Sequence, residues 1–215
     1  MMRFLKLYVL VGLPLIINIT SFIIFAPLFI SDANPTRTDF KTAGLYLSMS
    51  LITIEVISVL LVVTILSFKG KSIRGSLFGK MPKLPLWWVS ITALLVTIVA
   101  GILYVNAQHN AGIEMAFNSL TQTEKLIWYL LVPIVASFCE EVLWRGFAQS
   151  QSNPGLKSLL KTNFSFALIH GVFSPIILVT TFVLGLTWSW LKEQTNSTIP
   201  GLVLHFMSRY LGLIF

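Results

Sequence analysis

Charged residues are scarce in this chain. They make up 11% of its 215 residues, whereas hydrophobic residues make up 55%. A soluble domain carries about 25% charged residues, so a water-exposed surface of ordinary composition is excluded. Residues 7–30 and 84–108 carry no charge, and residues 42–68 carry only Glu55. Because each stretch exceeds the roughly 20 residues that cross a bilayer as a helix, the sequence predicts an all-α, multi-pass integral membrane protein.

The predicted transmembrane helices number about seven, within a range of about six to eight. The uncharged run 162–191 is too long for one span and too short for two, so it is expected to break at Pro175. Such a break inside a membrane must be covered by protein or by a water-filled cavity, and the later helices are therefore expected to carry the functional site. The predicted helices cover residues 7–30, 43–67, 86–106, 123 onward, both parts of 162–191, and 199–215.

The basic residues predict how the chain is oriented. The net charge is +7, and five of the 15 lysines and arginines fall in the short segment Lys69–Lys83 between two predicted spans. Such a cluster is typical of a cytoplasmic loop that contacts anionic lipid headgroups, not of a nucleic-acid site. Arg3 and Lys6 place the N-terminus on the same side, so a cytoplasmic N-terminus is expected.

The sequence lacks both an intrachain disulfide and the usual metalloprotease motif. The single cysteine, Cys139, excludes an intrachain disulfide, and the sequence has no HExxH metalloprotease motif. Cys139 precedes Glu140 and so suggests a Cys-His nucleophile, but no pattern of oxyanion-stabilising residues surrounds it. The preferred interpretation is an ordinary buried small residue.

An ionisable cluster interrupts the fourth predicted helix. Glu140, Glu141 and Arg145 follow the uncharged run 126–139, and each charge at the bilayer centre costs roughly 2.5–3.5 kcal/mol. Glu141 and Arg145, at i and i+4, are predicted to form an ion pair. Glu140 lies about 100° around the helix, so it is expected to stay unpaired, as suits a general base or a proton carrier. The alternative is that all three side chains snorkel to the headgroups.

Two histidines are predicted at similar depth. His170 and His205 fall inside apolar helices, whereas His109 is predicted in a solvated loop. One intramembrane histidine is often only a helix-to-helix hydrogen bond, but two of them with an unpaired glutamate favour a functional site. Glu55, alone in the second predicted span, is interpreted as a partnered structural residue or a cavity residue.

The order of these residues resembles a known family. The motif EExxxR begins at Glu140, FxxxH runs from Phe166 to His170, and His205 lies on the last apolar helix. This arrangement is similar to the CPBP or Abi family of CAAX-protease and bacteriocin-processing intramembrane endopeptidases, which includes the prenyl-protein-specific Rce1 peptidases. The likeness covers about residues 125–210.

The whole chain, 1–215, is expected to be a single transmembrane domain, since no soluble domain is evident. N-terminal spans 1–122 precede a core at 123–215, and the resemblance implies that this core is catalytic. The implied substrate is a peptide or a lipidated peptide, as in CAAX-type C-terminal processing, bacteriocin maturation or immunity. The small size, without an appended soluble domain, favours a multi-pass protein of a bacterial cell membrane.

The resemblance also implies catalytic roles. Glu140 and His170 would activate a water molecule for attack on a peptide carbonyl, and His205 would stabilise the oxyanion. The implied supporting residues are Glu141 and Arg145, and the sequence adds Phe166 and Arg209 as further supporting candidates.

Arg209 departs from that pattern, because the family usually has asparagine four residues after the last histidine. Arginine can donate hydrogen bonds to an oxyanion in place of asparagine. It can instead pair with Glu140 and silence the enzyme, or lie among the headgroups and take no part.

The cofactor is left open by the sequence. Glu140, His170 and His205 could hold Zn²⁺ with a fourth position for water, or they could form a metal-free glutamate–histidine site. The metal-free interpretation is preferred, because the tertiary contacts of a dry site can satisfy these side chains without an ion.

Two other functions are alternatives. A catalytically silent peptide-binding or immunity protein would tolerate loss of Glu140, and Arg209 favours this interpretation. A proton-coupled transporter could use the same glutamate and histidines, but the sequence has no evident inverted repeat of the kind that many transporters carry.

Overall fold

Helices make up the regular structure of the protein. The computed structural model describes residues 1–31, 37–79, 87–110, 120–153, 155–171 and 175–211. In these segments every regular element is helical, and one isolated antiparallel bridge joins Gly79 to Ser197. The all-α prediction is confirmed.

The helices include short π-helical stretches, in which the turn is wider than in an α-helix. In chain order the elements are α1 (Met2–Leu7), π1 (Tyr8–Gly12), α2 (Leu13–Ser31), α3 (Arg37–Phe68), α4 (Ile73–Leu77), α5 (Trp87–Asn110), α6 (Gln122–Leu126), π2 (Ile127–Leu131), α7 (Val132–Glu140), π3 (Glu141–Gln149), α8 (Leu156–Gly171), α9 (Pro175–Thr195) and α10 (Ile199–Leu211).

Several helical segments have the length and composition of membrane spans. Within the described parts of the chain, three are long and apolar enough to cross a bilayer, Met2–Pro27, Thr42–Phe68 and Pro175–Thr195, and Ile91–Leu103 is a shorter apolar segment. Their outward faces carry exposed large apolar side chains such as Phe22, as a lipid-facing surface would. The chain is therefore an integral membrane protein; the span count of about seven stays a prediction.

Local signals place several helix ends correctly. Thr121 caps α6 through a capping box with Glu124, and α6 begins at Gln122, one residue before the predicted start of this helix. The run 162–191 is broken as predicted: α8 ends at Gly171 and α9 begins at Pro175, where the missing proline N–H removes no helical hydrogen bond. The last helix begins at Ile199, also as predicted.

The end of α5 was predicted wrongly. This helix continues to Asn110, so His109 lies in its last turn and not in a loop. The polar residues there are compatible with a helix, and the first glycine after it, Gly112, follows only two residues later. The predicted headgroup loop Lys69–Lys83 lies partly outside the described residues, which stop at Gly79 on this side.

The later helices form the packed part of the molecule. α9 packs against α5, α8 and α10, and α10 also packs against α5 and α7. Every residue of π3 is buried. Gly146 lets π3 approach α4, because a Cβ at this position would lie 2.6 Å from the carbonyl oxygen of Leu77. The expected functional half of the chain thus has a dense interior.

Candidate active site

Side chains from four helical elements meet in that interior. Glu140 ends α7, Glu141 and Arg145 lie on π3, His170 comes near the end of α8, and α10 contributes His205 and Arg209. Glu140, Glu141 and Arg145 are 2%, 1% and 0% exposed. The alternative in which these three side chains snorkel to the headgroups is therefore wrong.

The two carboxylate oxygens of Glu140 have different neighbours. Oε2 lies 3.2 Å from Nε2 of His205 and 3.5 Å from Nε2 of His170. Oε1 accepts a hydrogen bond from Nη2 of Arg209 at 2.5 Å. Glu140 was expected to be unpaired, and that expectation is wrong because α10 brings a guanidinium to it.

Each histidine is oriented through its other ring nitrogen. Nδ1 of His205 donates to Oε1 of Glu141 at 3.1 Å, and Nδ1 of His170 donates to the backbone carbonyl of Phe166 at 3.2 Å. A carboxylate and a carbonyl only accept, so Nδ1 carries the proton in both rings. In both residues Nε2 faces Oε2 of Glu140. Because two lone pairs at this distance repel, these contacts are favourable only when a proton lies between the carboxylate and a ring.

Aromatic rings fix these imidazoles further. Trp188 stacks on His205 with 4.1 Å between ring centroids, and Phe166 lies 4.8 Å from His170. The guanidinium carbon of Arg145 lies 4.1 Å from the centroid of the Phe166 ring, a favourable cation–π position. Phe166 also lies edge-to-face against His205, with 5.9 Å between ring centroids, so it contacts three residues of the cluster.

The predicted ion pair between Glu141 and Arg145 is present, with 3.2 Å between Oε1 and Nη1. Arg145 also donates to Oδ1 of Asn163 at 3.2 Å, and the same oxygen accepts from Ser189 at 3.0 Å. The attraction of a buried ion pair offsets its desolvation only when further hydrogen bonds are made. Asn163 supplies one such bond to Arg145 and His205 supplies one to Glu141, whereas Nε of Arg145 and Oε2 of Glu141 are buried without a hydrogen-bond partner among the described residues.

Asn163 and Ser189 were missed by the sequence analysis. A signal for Asn163 exists: it lies two helical turns before His170, on the same face of α8. The lack of a side chain at Gly185 leaves room for this hydrogen-bond network. A Cβ on Gly185 would lie 2.7 Å from Oδ1 of Asn163 and 2.9 Å from Nη2 of Arg145.

A zinc ion does not fit this arrangement. The oriented Nδ1 groups of His170 and His205 resemble the outer contacts of metal ligands. However, the guanidinium of Arg209 binds Glu140 and lies 3.5 Å from Nε2 of His170, so a cation already occupies the place next to these atoms. Within the described residues, no group of three His, Cys, Asp or Glu side chains is arranged to hold a metal.

The cluster lies within the part of the chain that matches a known protein family. Residues 122–211 match the profile of the family described as type II CAAX prenyl endopeptidase Rce1-like, and all residues of the cluster fall within them. The chain matches no curated protein and no solved structure. Residues 122–211 are therefore similar to the type II CAAX prenyl endopeptidase Rce1-like family.

Proposed function

We propose that this protein is an intramembrane endopeptidase in which Glu140 and His170 activate a water molecule to hydrolyse a peptide bond near the membrane surface. The observation that carries the proposal is the convergence of two oriented imidazoles on one buried carboxylate inside a peptidase-family domain. Such a group of acceptors can take protons from water, as general base catalysis requires.

The proposed reaction follows from the acceptor atoms. A water molecule donates its protons toward Oε2 of Glu140 and Nε2 of His170, and its oxygen attacks the carbonyl carbon. Glu140 takes the proton and passes it to the nitrogen of the amide as the C–N bond breaks. Nitrogen thus leaves as an amine, and the new carboxyl group carries the oxygen of the water.

The oxyanion needs hydrogen-bond donors at its developing charge. In its protonated form His205 donates from Nδ1 to Glu141 and from Nε2 to the oxyanion. Arg209 is a second donor once its guanidinium leaves Glu140. Glu141, Arg145 and Asn163 touch no reacting atom in this scheme and position His205 and the helices around it.

The substrate is proposed to be a peptide or a lipidated peptide, and the family profile supports CAAX-type C-terminal processing. Bacteriocin maturation or immunity is proposed as the alternative use of the same chemistry. We also propose that the protein lies in a bacterial cell membrane, with a cytoplasmic N-terminus and about seven spans. Anionic lipids would contact the segment Lys69–Lys83.

A second candidate function is a catalytically silent peptide-binding protein. The observation that favours it is the hydrogen bond from Arg209 to Glu140, which occupies one oxygen of the proposed base. Such a protein would bind peptides equally well with and without the carboxylate of Glu140.

The test is a cleavage assay with purified protein in detergent and in liposomes. Its substrates are a quenched-fluorescence farnesylated CAAX peptide and a panel of leader peptides. Glu140→Gln is expected to lower turnover by about 10²–10⁴-fold, the usual contribution of a general base. Glu124→Gln is the matched control, because glutamine can still complete the capping box. Turnover retained in Glu140→Gln would contradict the mechanism, and peptide binding without any cleavage would favour the silent binder.

A further inference from the structure

A hydroxyl from an N-terminal helix contacts the wall of the candidate active site. Thr97 lies on α5, in the apolar segment Ile91–Leu103, and is 1% exposed. Its Oγ1 accepts a hydrogen bond from Nε1 of Trp188 at 3.2 Å, and such bonds between helices are a common means of fixing membrane helices and their side chains. The family profile begins at residue 122, so the roles implied by the family do not extend to Thr97.

Trp188 connects this hydroxyl to the cluster. Its indole stacks on the imidazole of His205, with 4.1 Å between ring centroids and 22° between ring planes. Both rings are buried, as Thr97 is. α5 packs against α9 and α10, the helices that carry the two rings. Since His205 in turn contacts Glu140 and Glu141, a continuous series of contacts runs from α5 to the two carboxylates.

Stacking by itself does not fix the indole. The torsion between Cβ and an aromatic ring has broad minima, so a stacked ring can still turn about this bond. An indole N–H only donates, and the hydroxyl of Thr97 is the acceptor that the N–H of Trp188 contacts. Because a buried N–H without an acceptor is unfavourable, this hydrogen bond favours one orientation of the ring.

The orientation of His205 depends on that ring. Nδ1 of His205 lies 3.1 Å from Oε1 of Glu141, and Nε2 lies 3.2 Å from Oε2 of Glu140. Both contacts require one tilt of the imidazole, and the indole face of Trp188 blocks a tilt toward its side. The packing is close here, because a Cβ on Gly201 would lie 3.1 Å from Oε2 of Glu141 and 3.5 Å from Cβ of Trp188.

We propose that Thr97 is a positioning residue of the site, which acts through Trp188 to hold the imidazole of His205 between Glu140 and Glu141. In the proposed reaction His205 donates from Nε2 to the oxyanion, so an imidazole that tilts away stabilises the transition state less. This consequence for turnover rests on the proposed function, whereas the hold on His205 does not.

The ring resonance of His205 tests this hold without any substrate. The chain has three histidines, so labelling histidine Cε1 with carbon-13 gives three ring signals in the NMR spectrum of the protein in detergent, and His205→Gln identifies one of them. An indole shifts protons above its face upfield, so the His205 signal should move downfield in Trp188→Leu. Thr97→Val and Thr97→Ala, which lack the hydroxyl, are expected to move it in the same direction. Thr97→Ser, which keeps the hydroxyl, is expected to leave it near its wild-type position.

Thr180→Val is the matched control. Thr180 is also buried, on α9, but its hydroxyl bonds to carbonyl groups of its own helix. Its replacement should leave the His205 signal in place. A His205 signal that is the same in wild type and in the two variants without the hydroxyl would overturn the proposal, because Thr97 would then join α5 to α9 without acting on the imidazole.

Turnover of the farnesylated peptide gives the catalytic readout. Thr97→Val is expected to lower kcat about tenfold with little change in KM, as weaker stabilisation of the transition state alone would do, and Thr97→Ser is expected to restore most of it. In the Trp188→Phe background, where no N–H remains to be bound, Thr97→Val should change kcat no further. A loss of kcat that persists in that background contradicts action through Trp188. If wild type cleaves no peptide, the peptidase proposal fails while the His205 signal still decides whether Thr97 holds the imidazole.

Discussion

At the scale of single residues, the environment of Glu140 decides what the site can do. One oxygen faces two imidazoles and the other binds Arg209. The sequence predicts the pair Glu141–Arg145, because the two residues are one helical turn apart. It does not choose among the positions open to Arg209, because that contact depends on how α10 packs against α7.

Replacing Arg209 tests whether this contact restrains the enzyme. Arg209→Asn removes the cation from Glu140 and keeps a hydrogen-bond donor near the oxyanion. We expect kcat for the farnesylated peptide to rise by about tenfold, since one competing ion pair of about 1.4 kcal/mol is removed. The control is Arg74→Asn, an exposed position on α4, which should leave kcat unchanged. A fall in kcat after Arg209→Asn would instead identify Arg209 as an essential oxyanion donor.

Metal removal provides an independent test of the same site. Because the guanidinium of Arg209 lies next to Glu140 and His170, turnover is expected to survive dialysis against EDTA and treatment with 1,10-phenanthroline. The measurement is the initial rate before and after treatment, with a zinc peptidase as the positive control for the chelators. Activity that is lost and then restored by added Zn²⁺ would show that Arg209 moves away and that the histidines bind metal.

At the scale of helices, the residue types close to a helix end explain where that helix begins or ends. Packing between helices explains which residues are buried. The cap at Thr121 and the break before Pro175 follow from residue types close by. The complete burial of π3 does not, because burial of a charged helix requires partners from α8 and α9. Asn163 illustrates this limit: its position on the face of His170 is visible in the sequence, but its bond to Arg145 is not.

The crossing of α8 and α9 at Gly185 yields a stability prediction. Gly185→Ala would place a methyl group 2.7 Å from Oδ1 of Asn163 and 2.9 Å from Arg145. This overpacking is expected to lower the free energy of unfolding by about 1–3 kcal/mol, measured by denaturation in detergent.

Gly44→Ala is the matched control for that substitution. Gly44 lies in α3 with nothing within 4 Å of an added Cβ. Alanine favours the helix by about 1 kcal/mol there, so this variant should be as stable as wild type or more stable. Equal stability of the Gly185→Ala variant would mean that the helices separate easily and that the polar network does not depend on their close approach.

At the scale of the whole molecule, composition was enough to predict a helical membrane protein. Uncharged runs identify membrane segments because charge is so costly in a bilayer. They do not determine the number of spans, since a run such as 162–191 is too long for one span and too short for two. The family profile covers 122–211, and the structure shows that α3, outside this range, packs against the same site.

The most direct test of the central claim is the fate of water oxygen during cleavage. Purified wild type and Glu140→Gln would be incubated with the farnesylated peptide in water enriched in oxygen-18, and the products analysed by mass spectrometry. The account predicts that wild type releases a peptide with one heavy oxygen in its new carboxyl group. It predicts that Glu140→Gln releases almost none, although its Tm equals that of wild type. The same labelled product formed by Glu140→Gln at the wild-type rate would contradict the role of Glu140 as the base that activates water.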